Sequence, residues 1–254
     1  MTHALAPFVV ALSPYELGPS AHRGLPSSTI TVTIPESDAV EIAWLERPQP
    51  PQRFSAAVAG LHLDAAELRQ QGGTRGVWLT LSPLGAGALL GVPASELSGQ
   101  IADLADVSPA MAHLPEQLAA CRSWPQRRTL VENALLTGWA RHQRHADGRD
   151  LAALKALSST ARVEEAAGLL GCSRRHLSST VRAALGVTPK EYQRLLRFET
   201  ARGALATAAR TETISLATIA AQSGFADQAH FTREWRAMAG CTPTEWLRTE
   251  GLAA

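Results

Sequence analysis

Ten residues near the carboxy end have the types and the spacing to read a nucleic acid. Arg174, Arg175, Ser178, Ser179 and Arg182 form one set, and Gln228, Ala229, Thr232, Arg233 and Arg236 form a second. Within each set the residues recur at intervals that place them on one helical face. Arginine pairs bidentately with a guanine edge, glutamine with an adenine edge, and an α-helix has the width of the major groove. The hydroxyls and remaining arginines suit phosphate contacts, which set register without reading sequence. For one such set alone, an ordinary solvated face is the competing reading. Two matched sets weigh against it.

The elements that must hold these residues are written in the same stretch. Leu177, Val181 and Leu185 recur at spacing four behind the first set, and Phe231, Trp235 and Met238 form the equivalent stripe behind the second. Ser173 and Asp227 stand where a helix N-cap is needed. Upstream of the first set, Val163, Ala166, Ala167 and Leu170 make a short apolar face that stops at Gly171. Gly224 occupies the corresponding place in the second copy. The phrase "GVTPKEY" (Gly186–Tyr192) returns as "GCTPTEW" (Gly240–Trp246). Gly171 and Gly224 are 53 residues apart while Gly186 and Gly240 are 54 apart, so the second copy is one residue longer. This is a helix-turn-helix written twice. "PKEYQRLLRFETARGALA" (Pro189–Ala206) reads as a long helix able to hold the two copies about one DNA turn apart.

With those residues in view, "GFADQAHFTREWRAMAGCTPTEW" resembles the carboxy-terminal signature of the AraC/XylS transcription regulators. "GCSRRHLSSTVRAALGVTPKEYQRLLRFETA" resembles the first half of the same module, Arg197 included. The resemblance covers about Leu151 to Arg248 and implies a two-motif DNA-binding unit. Carried over position by position, its base-reading sites fall on Arg175, Ser178 and Ser179, and on Gln228, Thr232 and Arg233. Val181 departs from the family, which has an aromatic residue there, and Trp235 keeps it in the second copy.

The first part of the chain has a different period. "STITVTI" (Ser28–Ile34) sets Ile30, Val32 and Ile34 against Thr29, Thr31 and Thr33, which predicts a strand with its apolar face turned inward. "VEIAW" (Val40–Trp44), Phe54–Leu63 and Gly76–Pro83 are further strand candidates at the short spacing of a sandwich or barrel. From about 96 to 142 the composition turns helical, with Ser123 as a candidate cap and Leu130, Val131, Ala134, Leu135 and Trp139 as a stripe for packing or for a dimer seam. "RHADGRD" (Arg144–Asp150) reads as a linker. The expected fold class is therefore α+β: residues 1–145 as a β-rich jelly-roll or barrel-like sensor or dimerisation domain with helices, and residues 150–254 as the all-α double helix-turn-helix. Segments such as "HRGLPSSTITVTI" resemble the amino-terminal domain of actinobacterial-type AraC-like regulators. A barrel interior can hold a small molecule, for which His22, Arg23, Trp44, His62 and Trp78 are the candidate lining residues. His22 and His62 lack the His-x-His and carboxylate company of a metal site, so no metal or other cofactor is expected.

Composition narrows the classes. The 254 residues carry a formal net charge of +1, split between 11 basic against 13 acidic residues over 1–149 and 13 against 10 over 150–254. The positive part is the repeated part. Cys121, Cys172 and Cys241 stand far apart, which fits a reducing, cytoplasmic setting. The opening "MTHALAPFVVALSPYEL" has too short an apolar run, and no basic residues ahead of it, for a signal peptide or a membrane span. The sequence has no Gly-x-Ser-x-Gly, no phosphate-cradling glycine loop and no His-Glu-x-x-His, so an enzyme is not expected. The expected partners are double-stranded promoter DNA, a small-molecule effector and a second copy of the chain, with RNA polymerase if the protein activates. A β-barrel enzyme that carries the helical module, or a non-specific architectural DNA binder, are the alternatives.

Overall fold

The structure of the chain is a computed structural model that describes residues 2–18, 22–69, 73–142, 148–210 and 215–250. The strands are β1 (Val9–Leu17), β2 (His22–Gly24), β3 (Ile30–Pro35), β4 (Val40–Trp44), β5 (Gln52–Phe54), β6 (Ala57–Ala59), β7 (Ala66–Arg69), β8 (Thr74–Leu81) and β9 (Ile101–Asp103). They form a five-stranded sheet in the order β1-β8-β3-β6-β9 and a four-stranded sheet in the order β2-β7-β4-β5. Every pairing is antiparallel. β1 takes up the segment read above only for its failure as a signal peptide, with Val10 exposed on this edge strand.

The alternation of β3 is present, and its apolar face is buried as expected, against the helical layer. Ile30, Val32 and Ile34 join Val77, Leu79 and Leu81 of β8 in a core shared with helical residues such as Leu89, Leu118, Val131 and Leu135. Thr31 and Thr33, with Trp78 and Thr80 of β8, look into the space between the two sheets. A sheet covered on both faces gives its more apolar face to the larger core, which here lies outside the barrel.

The helical layer consists of α1 (Pro83–Gly85), a π-type turn at Ala86–Leu90, α2 (Ala94–Leu97), α3 (Leu104–Val107), a 3-10 turn at Pro109–Met111, α4 (Leu114–Ala119) and α5 (Trp124–His142). The segment expected to be helical from about 96 to 142 is thus interrupted by β9, which pairs with β6. In α5 Val131 and Leu135 are buried, while Leu130, Ala134 and Trp139 pack half-buried on the same core. Trp139 lies 5.0 Å from the ring of Phe8. The stripe is therefore largely spent inside its own chain. α5 is also pinned by charge. Arg127 Nε and Nη2 reach the two oxygens of Glu36 at 2.7 Å each, and Arg75 Nε lies 3.0 Å from the same carboxylate.

The carboxy-terminal helices are α6 (Gly148–Ser159), α7 (Val163–Leu169), α8 (Arg174–Leu185), α9 (Pro189–Arg210), α10 (Leu216–Gln222), α11 (Gln228–Ala239) and α12 (Pro243–Thr249). Residues 144–147 of the expected linker lie outside the described residues, and its last three residues open α6. The repeated phrase explains two helix starts. Thr188 N–H donates to Glu191 Oε2 and Glu191 N–H returns a bond to Thr188 Oγ1; Thr242 and Glu245 do the same, at 2.7 and 3.2 Å in both copies. These are capping boxes, each beginning with a proline that needs no N–H partner. One apolar cluster runs on from the helical layer through Leu177, Leu195 and Trp235 without a break.

Removing Arg127 leaves Glu36, whose side chain is 7% exposed, as a buried carboxylate with only the exposed Arg75 beside it. We expect Arg127→Met to lower stability by roughly 3 kcal/mol in urea unfolding. A loss below about 0.5 kcal/mol would assign the pair no structural role.

Candidate functional site

The two helices expected to read DNA, α8 and α11, are built in the same way. In α8 the Ser173 side chain accepts the His176 N–H at 3.1 Å, and in α11 the Asp227 side chain accepts the His230 N–H at 2.6 Å, so both expected caps are present. Gly171 and Gly224 make the turns with φ of 62° and 77°, values that carry little strain only in glycine. Behind α8 the packing is aliphatic, through Leu177, Val181 and Leu185. Behind α11 it is aromatic: Trp235 lies 4.7 Å from Phe198 of α9, 5.7 Å from Phe231 and 5.4 Å from Trp246.

With those stripes turned inward, Arg174, Arg175, Ser179 and Arg182 of α8 are exposed and Ser178 is half-buried. On α11 Gln228, Ala229, Arg233 and Arg236 are exposed and Thr232 is half-buried. Arg174 is partly committed to Glu164 of α7 at 2.9 Å, and Thr232 donates its hydroxyl to the Gln228 carbonyl at 2.9 Å. Arg175 and Arg233 are both exposed but stand at different places in the repeat, two and six residues past their caps Ser173 and Asp227. The C-terminal end of each helix is closed by a left-handed glycine, Gly186 or Gly240.

A second candidate site lies between the two sheets, a cavity of about 390 Å³. His22, Arg23, His62 and Trp78 line it as expected, but Trp44 does not. Trp44 sits at the end of β4, where its ring packs edge-on against His62 at 5.3 Å and lies under the Arg47 guanidinium at 3.9 Å. It braces the wall from behind. One wall is hydroxylic, with Thr31, Thr33 and Thr80, and the other is apolar, with Ile42, Ala66 and Leu68. Two lining residues, Arg202 of α9 and Glu250 beyond α12, come from the carboxy-terminal part. Their approach depends on tertiary docking, which leaves no local signal in the sequence. The threonine alternation of β3, by contrast, was a readable sign of a polar wall.

Charge gathers at one end. Arg23 Nη1 donates to the Ala239 carbonyl at 2.6 Å, tying β2 to the last turn of α11. Partial burial pushes the Glu250 carboxyl up, and His22 and Arg23 draw it back down. His62 is 7% exposed and its Nδ1 makes no hydrogen bond among the described residues. Burial lowers its pKa to about 4, with Asp64 opposing the shift. No group of His, Cys, Asp and Glu able to hold a metal occurs among the described residues, and no described helix is long and apolar enough to cross a membrane.

Residues 149–249 match the family model described as a helix-turn-helix domain. No curated protein matches the chain. Among solved structures, ToxT from Vibrio cholerae O395 is similar at 13% identity with a TM-score of 0.55, covering 96% of this chain and 98% of that one. Wild-type ToxT from Vibrio cholerae strain SCE256, bound to an unsaturated fatty acid, gives 12% identity and a TM-score of 0.54 over 97% and 98% of the two chains. ToxT from strain O395 bound to (E)-4-(8-methylnaphthalen-1-yl)but-3-enoic acid gives 13% and 0.53 over 94% and 98%. Identities this low establish a shared two-part fold.

The state of His62 makes a test of the cavity wall. An unfolded imidazole takes a proton near pH 6.5 and this one near 4, so between those values the unfolded chain binds more protons. Its contribution to stability is complete above about pH 6.5 and falls as the pH drops towards 4, by at most roughly 3 kcal/mol. Melting curves between pH 7 and 4 should show this decline, and His62→Gln should flatten it. Equal slopes for the two chains would place the loss elsewhere.

Proposed function

We propose that this chain, whose residues 149–249 form an AraC/XylS-type helix-turn-helix domain, is a sequence-specific DNA-binding transcription regulator controlled by a small molecule held in its amino-terminal part. The observation that carries the reading is the pair of equally capped helices, α8 and α11, each with an apolar back and a polar face of arginine, glutamine and hydroxyl groups. Arg175, Ser178 and Ser179 are the proposed base readers of the first helix, and Gln228, Thr232 and Arg233 those of the second. Arg174, Arg182 and Arg236 serve the phosphates. A second copy of the chain and, for an activator, RNA polymerase are the protein partners this reading implies. The work is cytoplasmic, and no catalytic step is assigned to the chain.

Small-molecule control is supported by the cavity and by the carboxylic acids bound in the related folds. The ligand class that fits is an organic acid. Its carboxylate would lie at the Arg23 and Arg202 end, with one apolar edge along Ile42 and Leu68 and one hydrogen-bonding edge along the threonines. A volume of about 390 Å³ is at the small end of ligand pockets.

Selection of random duplexes by the full chain should enrich a two-part motif bound at least ~10³-fold tighter than scrambled DNA. On that duplex Arg233→Ala should cost about 1–3 kcal/mol and relax the choice at one base pair. Failure of any motif to emerge would refute the regulator reading. For the ligand, calorimetric titration with a panel of aromatic, hydroxylated and fatty acids should find a binder that Arg202→Ala weakens by roughly 10- to 100-fold, the loss of one charge-assisted hydrogen bond. Equal affinity in that variant would remove Arg202 from the site.

A further inference from the structure

The amino-terminal part grips the reader at three points, and two of them are equivalent positions of the repeat. At Gly186, the left-handed cap of α8, the neighbours are so close that a Cβ there would stand 2.6 Å from Ser98 Cβ and 2.9 Å from the Ser95 carbonyl oxygen. At Gly240, the left-handed cap of α11, the same construction meets Arg23 Nη1 at 3.4 Å and Leu45 Cδ1 at 3.7 Å, and Arg23 bonds the neighbouring Ala239 carbonyl. Between them, Glu199 near the middle of α9 takes three hydrogen bonds. They come from Ser27 Oγ at 3.1 Å, Ser28 N–H at 2.8 Å and Ser28 Oγ at 2.5 Å. The two reading helices and the rod that joins them are thus each held by a different element of one amino-terminal body.

We propose that this three-point grip fixes the distance and angle between the two reading helices, so that the amino-terminal part sets the spacing of the DNA half-sites the chain accepts. The inference rests on the DNA-reading assignment above. α9 alone is a weak ruler: its 22 residues span about 33 Å, close to one DNA turn, but a helix of that length bends. Bracing both recognition helices at their C-terminal ends, with a charged clamp at mid-rod, removes that freedom. Glu199, Ser28 and Ser98 are then positioning residues, acting through the helices they hold and never touching the nucleic acid.

One base pair inserted between the half-sites moves the second by about 3.4 Å and turns it by about 35°. For the full-length chain on its selected duplex, this insertion should cost at least ~100-fold in affinity, since several base contacts of one helix are lost together. Glu199→Ala, which opens the clamp, and Ser98→Trp, which wedges α2 from α8, should each reduce that penalty to about tenfold, with the preferred base at every position unchanged. Melting temperatures establish that both variants fold. If Glu199→Ala does not, Ser28→Ala removes the shortest of the three bonds and has the same readout. An unchanged penalty in the folded variants, or no penalty in the full chain, overturns the proposal. Failure to select any duplex refutes instead the reading on which it rests.

Discussion

Most faces of α9 are committed, and the rest of the molecule depends on that helix being held from several sides; Thr200, Gly203 and Thr207 mark the one face left to solvent. Phe198 stacks on Trp235 in the core behind α11, and Arg194 reaches Glu234 of α11 at 2.6 Å. The Gln193 amide, buried, donates to the Thr160 carbonyl at 2.9 Å behind α6. Glu199 faces the amino-terminal part and Arg202 reaches its cavity. A helix with partners on most sides keeps only a narrow solvent face and hence a weak amphipathic stripe. That is why its sequence, with charged and apolar residues mixed along its length, says "helix" without saying what the helix is for.

The carboxy-terminal part was the more legible because its signals are local. A cap, an apolar stripe at spacing four, a turn glycine and a T-P-x-E start are each fixed by neighbours within a few residues, and each lies where the sequence put it. The amino-terminal part was legible only by period. The alternation of Ile and Thr in β3 gave both the strand and its buried face, while what that face packs against depends on where the larger apolar mass lies. β9 was missed because three residues carry no period of their own; its pairing with β6 makes it a strand. Trp44 was placed on the cavity by its type, whereas its position at the end of β4 puts it under Arg47.

The two copies of the motif have diverged in how they are packed. Behind α8 the core is made of branched aliphatic side chains, and its outer face offers two serines at positions expected to meet bases. Behind α11 four aromatic rings meet in turn, tilted or edge-on, and the outer face offers glutamine, threonine and arginine. Aromatic packing adds a geometric preference to burial behind α11 that the aliphatic packing behind α8 lacks.

For the proposed ligand, the hydroxyl wall of the cavity would weigh as much as the charged side chains that line it. Thr31, Thr33 and Thr80 form a polar strip opposite Ile42 and Leu68, and an occupant that covers this strip without bonding to it forfeits about 1–3 kcal/mol for each hydroxyl left unpaired. Selectivity then comes chiefly from rejection. On the proposed reading, a purely hydrocarbon molecule would be disfavoured by the cost of stranding those hydroxyls, and a fully polar one by the cost of its own desolvation against leucine and isoleucine. For the proposed ligand, two mismatched walls would favour two-sided molecules apart from any charge.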